Sequence, residues 1–143
     1  MIDSNFIKNS KLGIQNVSRE TLEELNKYSL SILRKNKDIN LISSGTEKSI
    51  NTRHILDCAQ IIDFIDKNDV KVCTDLGSGA GLPGIVLAIL MKPKKSKFKV
   101  IFYEKSYHKS NFLKEISKKF KLKTEINQKN IFEQKNLETD III

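Results

Sequence analysis

At 143 residues the chain can build one hydrophobic core and not two, so it is read as a single domain. Its 39% hydrophobic content and mean hydropathy of −0.33 describe a globular protein, and no apolar run approaches the roughly 20 residues that a bilayer span requires. A formal charge of +8 and a pI near 9.5 suggest an anionic partner, nucleic acid first; nearly all of that charge is lysine, and coding composition is a competing explanation for it.

The opening "MIDSNFIKNSKLGIQNVS" lacks the continuous apolar core of a signal peptide, which points to a cytoplasmic protein. Residues 18–37 read as a helix. Ser18 can cap it, Glu20, Glu23 and Glu24 favour its positive end, and Leu22, Leu25, Ile32 and Leu33 recur at helical spacing. The stretch "DINLISSGT" reads as a loop, because Asp38, Asn40, Ser43, Ser44 and Gly45 favour turns. Thr46 is then expected to cap a second long helix running to about Asp66, with Ile55, Cys58, Ile62 and Ile65 as its buried stripe. Residues 1–68 would form an N-terminal helical part of the domain.

Beyond it the period changes. "VKVCTD", residues 70–75, is short and β-branched and reads as a strand. A glycine turn leads into a helix from about Leu82 to Met91, followed by the basic connection "KPKKSK" with Lys92, Lys94, Lys95 and Lys97. "FKVIFYE", residues 98–104, is a second strand, and residues 106–121 a helix with Phe112, Leu113, Ile116 and Phe120 inside. "KTEINQ" is a third strand and "TDIII" begins a fourth. This rhythm means an α/β fold, a parallel sheet covered by helices, with residues 69–143 holding its first half. The chain stops at Ile143 on an apolar run, so the sheet is expected to be incomplete and its open edge prone to association. Cys58 and Cys73 read as buried thiols, and with only His54 and His108 to join them no metal site is expected.

The chemistry should lie in "CTDLGSGAGLPGIVLAILM", residues 73–91. Gly79, Gly81 and Gly84 satisfy G-x-G-x-x-G, a weak signal alone, but here a strand precedes it, a helix follows it, and Glu104 closes the next strand. Cofactors of such sheets bind outside the carboxyl ends of the strands, where a carboxylate such as Glu104 can accept both ribose hydroxyls of a nucleoside. A dinucleotide would rest its pyrophosphate on the helix N-terminus, and Asp75 would repel it. That carboxylate suits a cofactor bearing ammonium and sulfonium charges, S-adenosylmethionine (SAM). An NAD-dependent oxidoreductase fits less well, also because a long helical segment precedes the turn.

Three blocks carry a closer likeness. Asn40-Leu41-Ile42, then Arg53-His54-Ile55-Leu56-Asp57-Cys58, then Asp75 to Gly84 ending in G-L-P-G, resemble the bacterial glucose-inhibited division protein B family (RsmG) over nearly the whole chain. The resemblance implies a Rossmann-like SAM-dependent methyltransferase fold and transfer to guanine N7 of 16S, small-subunit ribosomal RNA. It implies that Asp75, Gly77, Gly79, Gly81 and Leu82 line the cofactor cleft, that Glu104 takes the ribose and that Asn130 and Ile131 lie beside the adenine. Asn40, Arg53 and His54 are the substrate-side candidates. The family commonly has aspartate where Glu104 stands and serine where Cys58 stands. Its later Ser-Arg-Ala-Phe-type motif does not occur in this stretch.

Guanine N7 presents a lone pair and no proton to remove, so alignment matters more than a general base; no catalytic residue is assigned. Arg53 can fork onto phosphate or simply pair with Asp57 on a helix, and His54 can contact RNA or sit in the core. The partner implied is ribosomal RNA or the small ribosomal subunit, with no membrane and no metal, and the complete protein is expected to be a monomer. A SAM- or RNA-binding fragment without turnover is the alternative.

Overall fold

The short β-branched stretches pair as parallel strands. In the computed structural model, which describes residues 1–2, 17–67, 69–134 and 136–143, β1 (Val72–Leu76), β2 (Lys99–Tyr103), β3 (Thr124–Asn127) and β4 (Ile141–Ile142) form one sheet in the order β3-β2-β1-β4. Asp75 stands opposite Phe102, and Tyr103 opposite Asn127, so the carboxyl ends of the three longer strands share one edge. The fourth strand is held at its entry by Asp140, whose Oδ2 accepts the Lys71 and Val72 amides at 2.8 Å. Most of the opening stretch read above for a leader, residues 3–16, lies outside the described residues.

Among the described residues five α-helices accompany the sheet: α1 (Arg19–Lys35), α2 (Asp57–Ala59), α3 (Ile62–Lys67), α4 (Gly84–Met91) and α5 (Tyr107–Lys119). Ser18 caps α1 as its hydroxyl accepts from the Thr21 amide at 3.2 Å, and Ser106 caps α5. Every residue of α4 is buried. It is the core helix, packed between β1 and β2 on one side and α1, α2 and α3 on the other. It begins at Gly84 rather than Leu82, because Leu82 and Pro83 still belong to the turn that enters it. Among the described residues no helix is long and apolar enough to cross a membrane.

The expected second long helix does not form. In its place stand a 3-10 helix over Ser44–Ser49, a π-helix over Asn51–Leu56, then α2 and, after a break, α3. Thr46 is not its cap; it lies inside the 3-10 turn, which Ser43 precedes. The cause is a relay of hydroxyls: Thr46 Oγ1 donates to the Ser43 carbonyl, Ser49 Oγ to Thr46 and Thr52 Oγ1 to Ser49, each three residues back. Such bonds offer the backbone an alternative to the regular helical ladder. Cys73 is fully buried and Cys58 half-buried against the core; burial pushes both thiols up to about 12.

Candidate cofactor and substrate site

The turn from β1 to α4 is anchored to the neighbouring strand. The amides of Gly77 and Ser78 donate to the Tyr103 carbonyl at 2.9 and 3.3 Å, and the Ser78 hydroxyl donates to the Asp75 carbonyl at 2.9 Å. Gly77, Gly79 and Gly81 all have positive φ, at +70°, +55° and +89°, a region that costs other L-residues about 1–2 kcal/mol. Their surroundings divide them. A Cβ on Gly77 would meet nothing within 4 Å, and one on Gly79 only the Gly77 carbonyl at 3.9 Å. A Cβ on Gly81 would run into Ile85 and Leu113, and one on Gly84 into Phe102 and Asp75. The first two glycines leave backbone open for close approach; the last two let the helix pack.

Both predicted carboxylates lie at this turn, each already tied to backbone. Glu104 follows β2, is 9% exposed, and accepts the Gly79 amide on Oε2 and the Ser106 amide on Oε1, both at 2.8 Å. It therefore joins the glycine turn to the loop that follows β2. An ionised carboxylate has about four acceptor positions, which leaves it capacity for hydroxyls. Asp75 is more deeply placed, 2% exposed, and its Oδ2 accepts the Gly84 amide at the start of α4 at 2.9 Å. Burial, the largest influence, pushes its pKa up to about 7 against the lowering effect of the Gly84 amide and the nearby Ser78 hydroxyl.

One member of the site escaped the sequence reading. Tyr28 of α1 is completely buried and its hydroxyl donates to the Ala80 carbonyl at 2.9 Å, in the middle of the glycine turn. Burial first, and then the charges of Cys58 and Asp75, hold its phenol well above the usual tyrosine range. A tyrosine on an amphipathic stripe reads as core, and nothing local shows that its oxygen reaches a carbonyl far along the chain. Tyr28→Phe keeps the ring and orphans that carbonyl. A buried unsatisfied group costs about 1–3 kcal/mol, so the urea midpoint should fall accordingly; an unchanged midpoint would show that the turn does not depend on this bond.

The substrate-side candidates occupy the segment between α1 and α2. Asn40 is exposed on a shallow concavity that it lines with Leu41, Ile42, Ser43 and Ser44. Its loop is shaped by Asn36, unnoticed in the sequence, whose Oδ1 accepts the Leu41 and Ile42 amides at 2.8 and 2.9 Å while Nδ2 donates to Glu47 at 2.6 Å. Arg53 and His54 ride the π-helix, a rare form often found at functional sites. The Arg53–Asp57 pair offered as an alternative is not made, since the wider π-turn moves residues four apart off one line. Asp57 accepts from Gln60 at 3.4 Å, and Arg53 stays exposed. His54 is half-buried, with Nε2 2.8 Å from Thr46 Oγ1, and burial lowers its pKa.

The remaining candidates share the sheet edge. Leu82 is half-buried in the turn. Asn130 and Ile131 follow β3, Asn130 exposed and capping a 3-10 helix over Ile131–Glu133 by accepting the Phe132 amide at 3.2 Å, Ile131 half-buried. The structure thus gathers Asp75, Gly77, Gly79, Gly81 and Glu104 into one hydrogen-bonded unit, sets Asn130 and Ile131 at the neighbouring strand end, and puts Asn40, Arg53 and His54 on a separate segment.

Comparison with known proteins agrees with this architecture. Residues 21–143 match the GidB family model, described as rRNA small subunit methyltransferase G. Relatives carrying the name Ribosomal RNA small subunit methyltransferase G include a Pelagibacter ubique protein 47% identical over 131 residues, covering 90% of this chain and 61% of its own length. A Bartonella henselae protein is 51% identical over 83 residues, 58% of this chain and 38% of its own. One from Cereibacter sphaeroides is 36% identical over 117 residues, 82% and 56%. The chain thus spans between 38% and 61% of the length of these relatives. With the family pattern matched from within α1 to the last residue, and the expected parallel sheet and glycine turn in place, the chain belongs to the GidB family, rRNA small subunit methyltransferase G.

Proposed function

We propose that this chain forms the cofactor-binding part of a SAM-dependent methyltransferase that modifies guanine N7 in 16S ribosomal RNA, free or in the small subunit, in the cytoplasm. The observation that carries the reading is the pair Gly77 and Gly79, held at positive φ with open space where a Cβ would project, beside Glu104 at the end of the adjacent strand. Such a turn can cradle a nucleoside, and membership of a methyltransferase family supports SAM as that nucleoside.

The residues fit SAM by their chemistry. Backbone at Gly77 and Gly79 admits close approach, Glu104 has acceptor capacity left for ribose hydroxyls, and Asp75 offers a carboxylate to a cation. Leu82, Asn130 and Ile131 would complete the adenosine side. When bound, SAM supplies an electrophilic methyl group. The protein's own task is to fix the turn through Tyr28 and the Tyr103 carbonyl, and to hold a guanine in line, for which Asn40, Arg53 and His54 are the candidates. Guanine N7 has no proton to lose, so positioning suffices, and no base is assigned.

Titration calorimetry of the chain with SAM, its demethylated product and NAD tests the reading; SAM and the product should bind and NAD should not. Hydrogen bonds to a charged group contribute about 1.5–3 kcal/mol, so Glu104→Ala should weaken SAM roughly ten- to a hundredfold. Unchanged affinity in a folded variant would remove Glu104 from the site.

A further inference from the structure

We propose that the turns following β2 and β3 form a stacking platform for unpaired bases of the RNA substrate, with Tyr107 and Phe132 as its rings. The proposal rests on the methyltransferase reading of the adjoining site and extends it to a surface that reading does not use. Among the described residues Tyr28, Phe98, Phe102, Phe112 and Phe120 are buried and Tyr103 is half-buried, while three rings are exposed, Phe64 on α3, away from the sheet's carboxyl edge in sequence, and Tyr107 and Phe132. Tyr107 and Phe132 are 62% and 94% exposed. Single exposed apolar residues are common on protein surfaces and need no explanation. Here two of them stand at the same functional edge. Tyr103 and Asn127 are register partners at the ends of β2 and β3, Tyr107 opens α5 just past the first, and Phe132 lies just past the second.

Both rings are carried on turns that are themselves held. Glu104 accepts the Ser106 amide, Ser106 caps α5, and the Ser110 hydroxyl donates to the Glu104 carbonyl at 2.6 Å, so Tyr107 is mounted on the same hydrogen-bonded unit as the glycine turn. Asn130 fixes the Phe132 amide. The Tyr107 ring meets His108 edge to face, with centroids 5.6 Å apart. Within three residues of them in sequence are the exposed cations Lys105 and Lys129, the half-buried Lys109 and the exposed acid Glu133. Rings interleaved with lysines are how single-stranded RNA is held without reading its sequence: bases stack on the rings and phosphates meet the cations. A ring 94% exposed is not the wall of an enclosed cofactor pocket, which is why RNA rather than adenine is assigned to it.

The test uses the 143-residue chain with Tyr107→Ala, Phe132→Ala, the double variant and Tyr107→Phe. Fluorescence anisotropy follows binding of a labelled single-stranded oligoribonucleotide and of an RNA duplex of equal length, and calorimetry follows SAM. Stacking on one aromatic is worth roughly tenfold in affinity, so each alanine should weaken the single strand about that much and the double variant more. Duplex and SAM binding should be unchanged, and Tyr107→Phe should behave as the parent. Equal loss on duplex and single strand, no loss on either, or loss confined to SAM would overturn the platform. The two readings fail separately. If the parent does not bind SAM while the rings still govern single-strand binding, the methyltransferase reading fails and the platform stands. If SAM binds and the ring variants leave RNA binding intact, the platform alone is wrong.

Discussion

Gly81→Ala is expected to lower the folding stability of this chain by about 2–5 kcal/mol, while Gly77→Ala lowers it by no more than about 1–2 kcal/mol. Both residues lie at positive φ, so both substitutions carry the left-handed penalty of about 1–2 kcal/mol. Only Gly81 adds overpacking. Its Cβ would stand 2.7 Å from Leu113 Cδ2 and closer still to Ile85 Cγ1, joining α4 to α5 at a point where neither has room. Forcing an extra carbon into a packed core costs about 1–3 kcal/mol. Small domains have a net stability of about 5–15 kcal/mol, so the larger loss is a substantial fraction of the whole. Urea unfolding of the two variants, followed by circular dichroism, measures the contrast. The cofactor effect should run the other way per unit of stability lost, since a methyl on Gly77 enters the open side of the turn. Equal midpoints for the two variants would show that Gly81 is not the packing glycine.

The elements that position the glycine turn are those the residues announce locally. β1 and β2 are short β-branched runs between turn signals, α5 has a capping serine and an apolar stripe, and the glycine spacing marks the turn between β1 and α4. What local pattern does not contain is where polar atoms end. The region from Ser43 to Ile65 shows an apolar stripe at helical spacing, and the stripe is real: Ile55, Ile62 and Ile65 are buried. The backbone beneath it is not a single helix, because three hydroxyls choose carbonyls three residues back. Periodicity reports which face is buried and is blind to that choice. Tyr28 and Glu104 show the same limit at longer range. Tyr28 goes unremarked in the sequence and Glu104 reads as a ribose acceptor, yet each also spends an oxygen on the backbone of the glycine turn. Asp75 was expected to face a cationic cofactor. Its hydrogen bond to the first residue of α4 could not be read from its place in the strand.

The burial of Asp75 beside that hydrogen bond produces the second large effect, which is on pH. The Asp75 carboxyl is raised from its ordinary 3.8 to about 7 in the folded chain, chiefly by burial. Between those two values the folded state keeps a proton that the unfolded state has released. Stability contributed by this group is therefore full below about pH 4, falls as pH rises toward about 7, and is level above. At roughly 1.4 kcal/mol for each pH unit, the fall is of the order of 4 kcal/mol. Other groups titrate with the opposite sign: the pKa of His54 is lowered, so its contribution grows as pH rises toward its ordinary 6.5. Asp75→Asn separates them. Its carbonyl oxygen can still accept the Gly84 amide, and it has no charge to bury. Between pH 5 and pH 8 the parent should lose up to about 3 kcal/mol of stability relative to this variant, measured by urea unfolding at each pH. Keeping an acid in so costly a place makes sense if a bound cation later offsets it. SAM affinity of the parent should accordingly rise as pH passes through about 7, where Asp75 ionises, and remain flat in Asp75→Asn. A parallel pH profile of stability in the two proteins would sink the linkage, and a parallel profile of SAM affinity would leave Asp75 a structural residue beneath the turn.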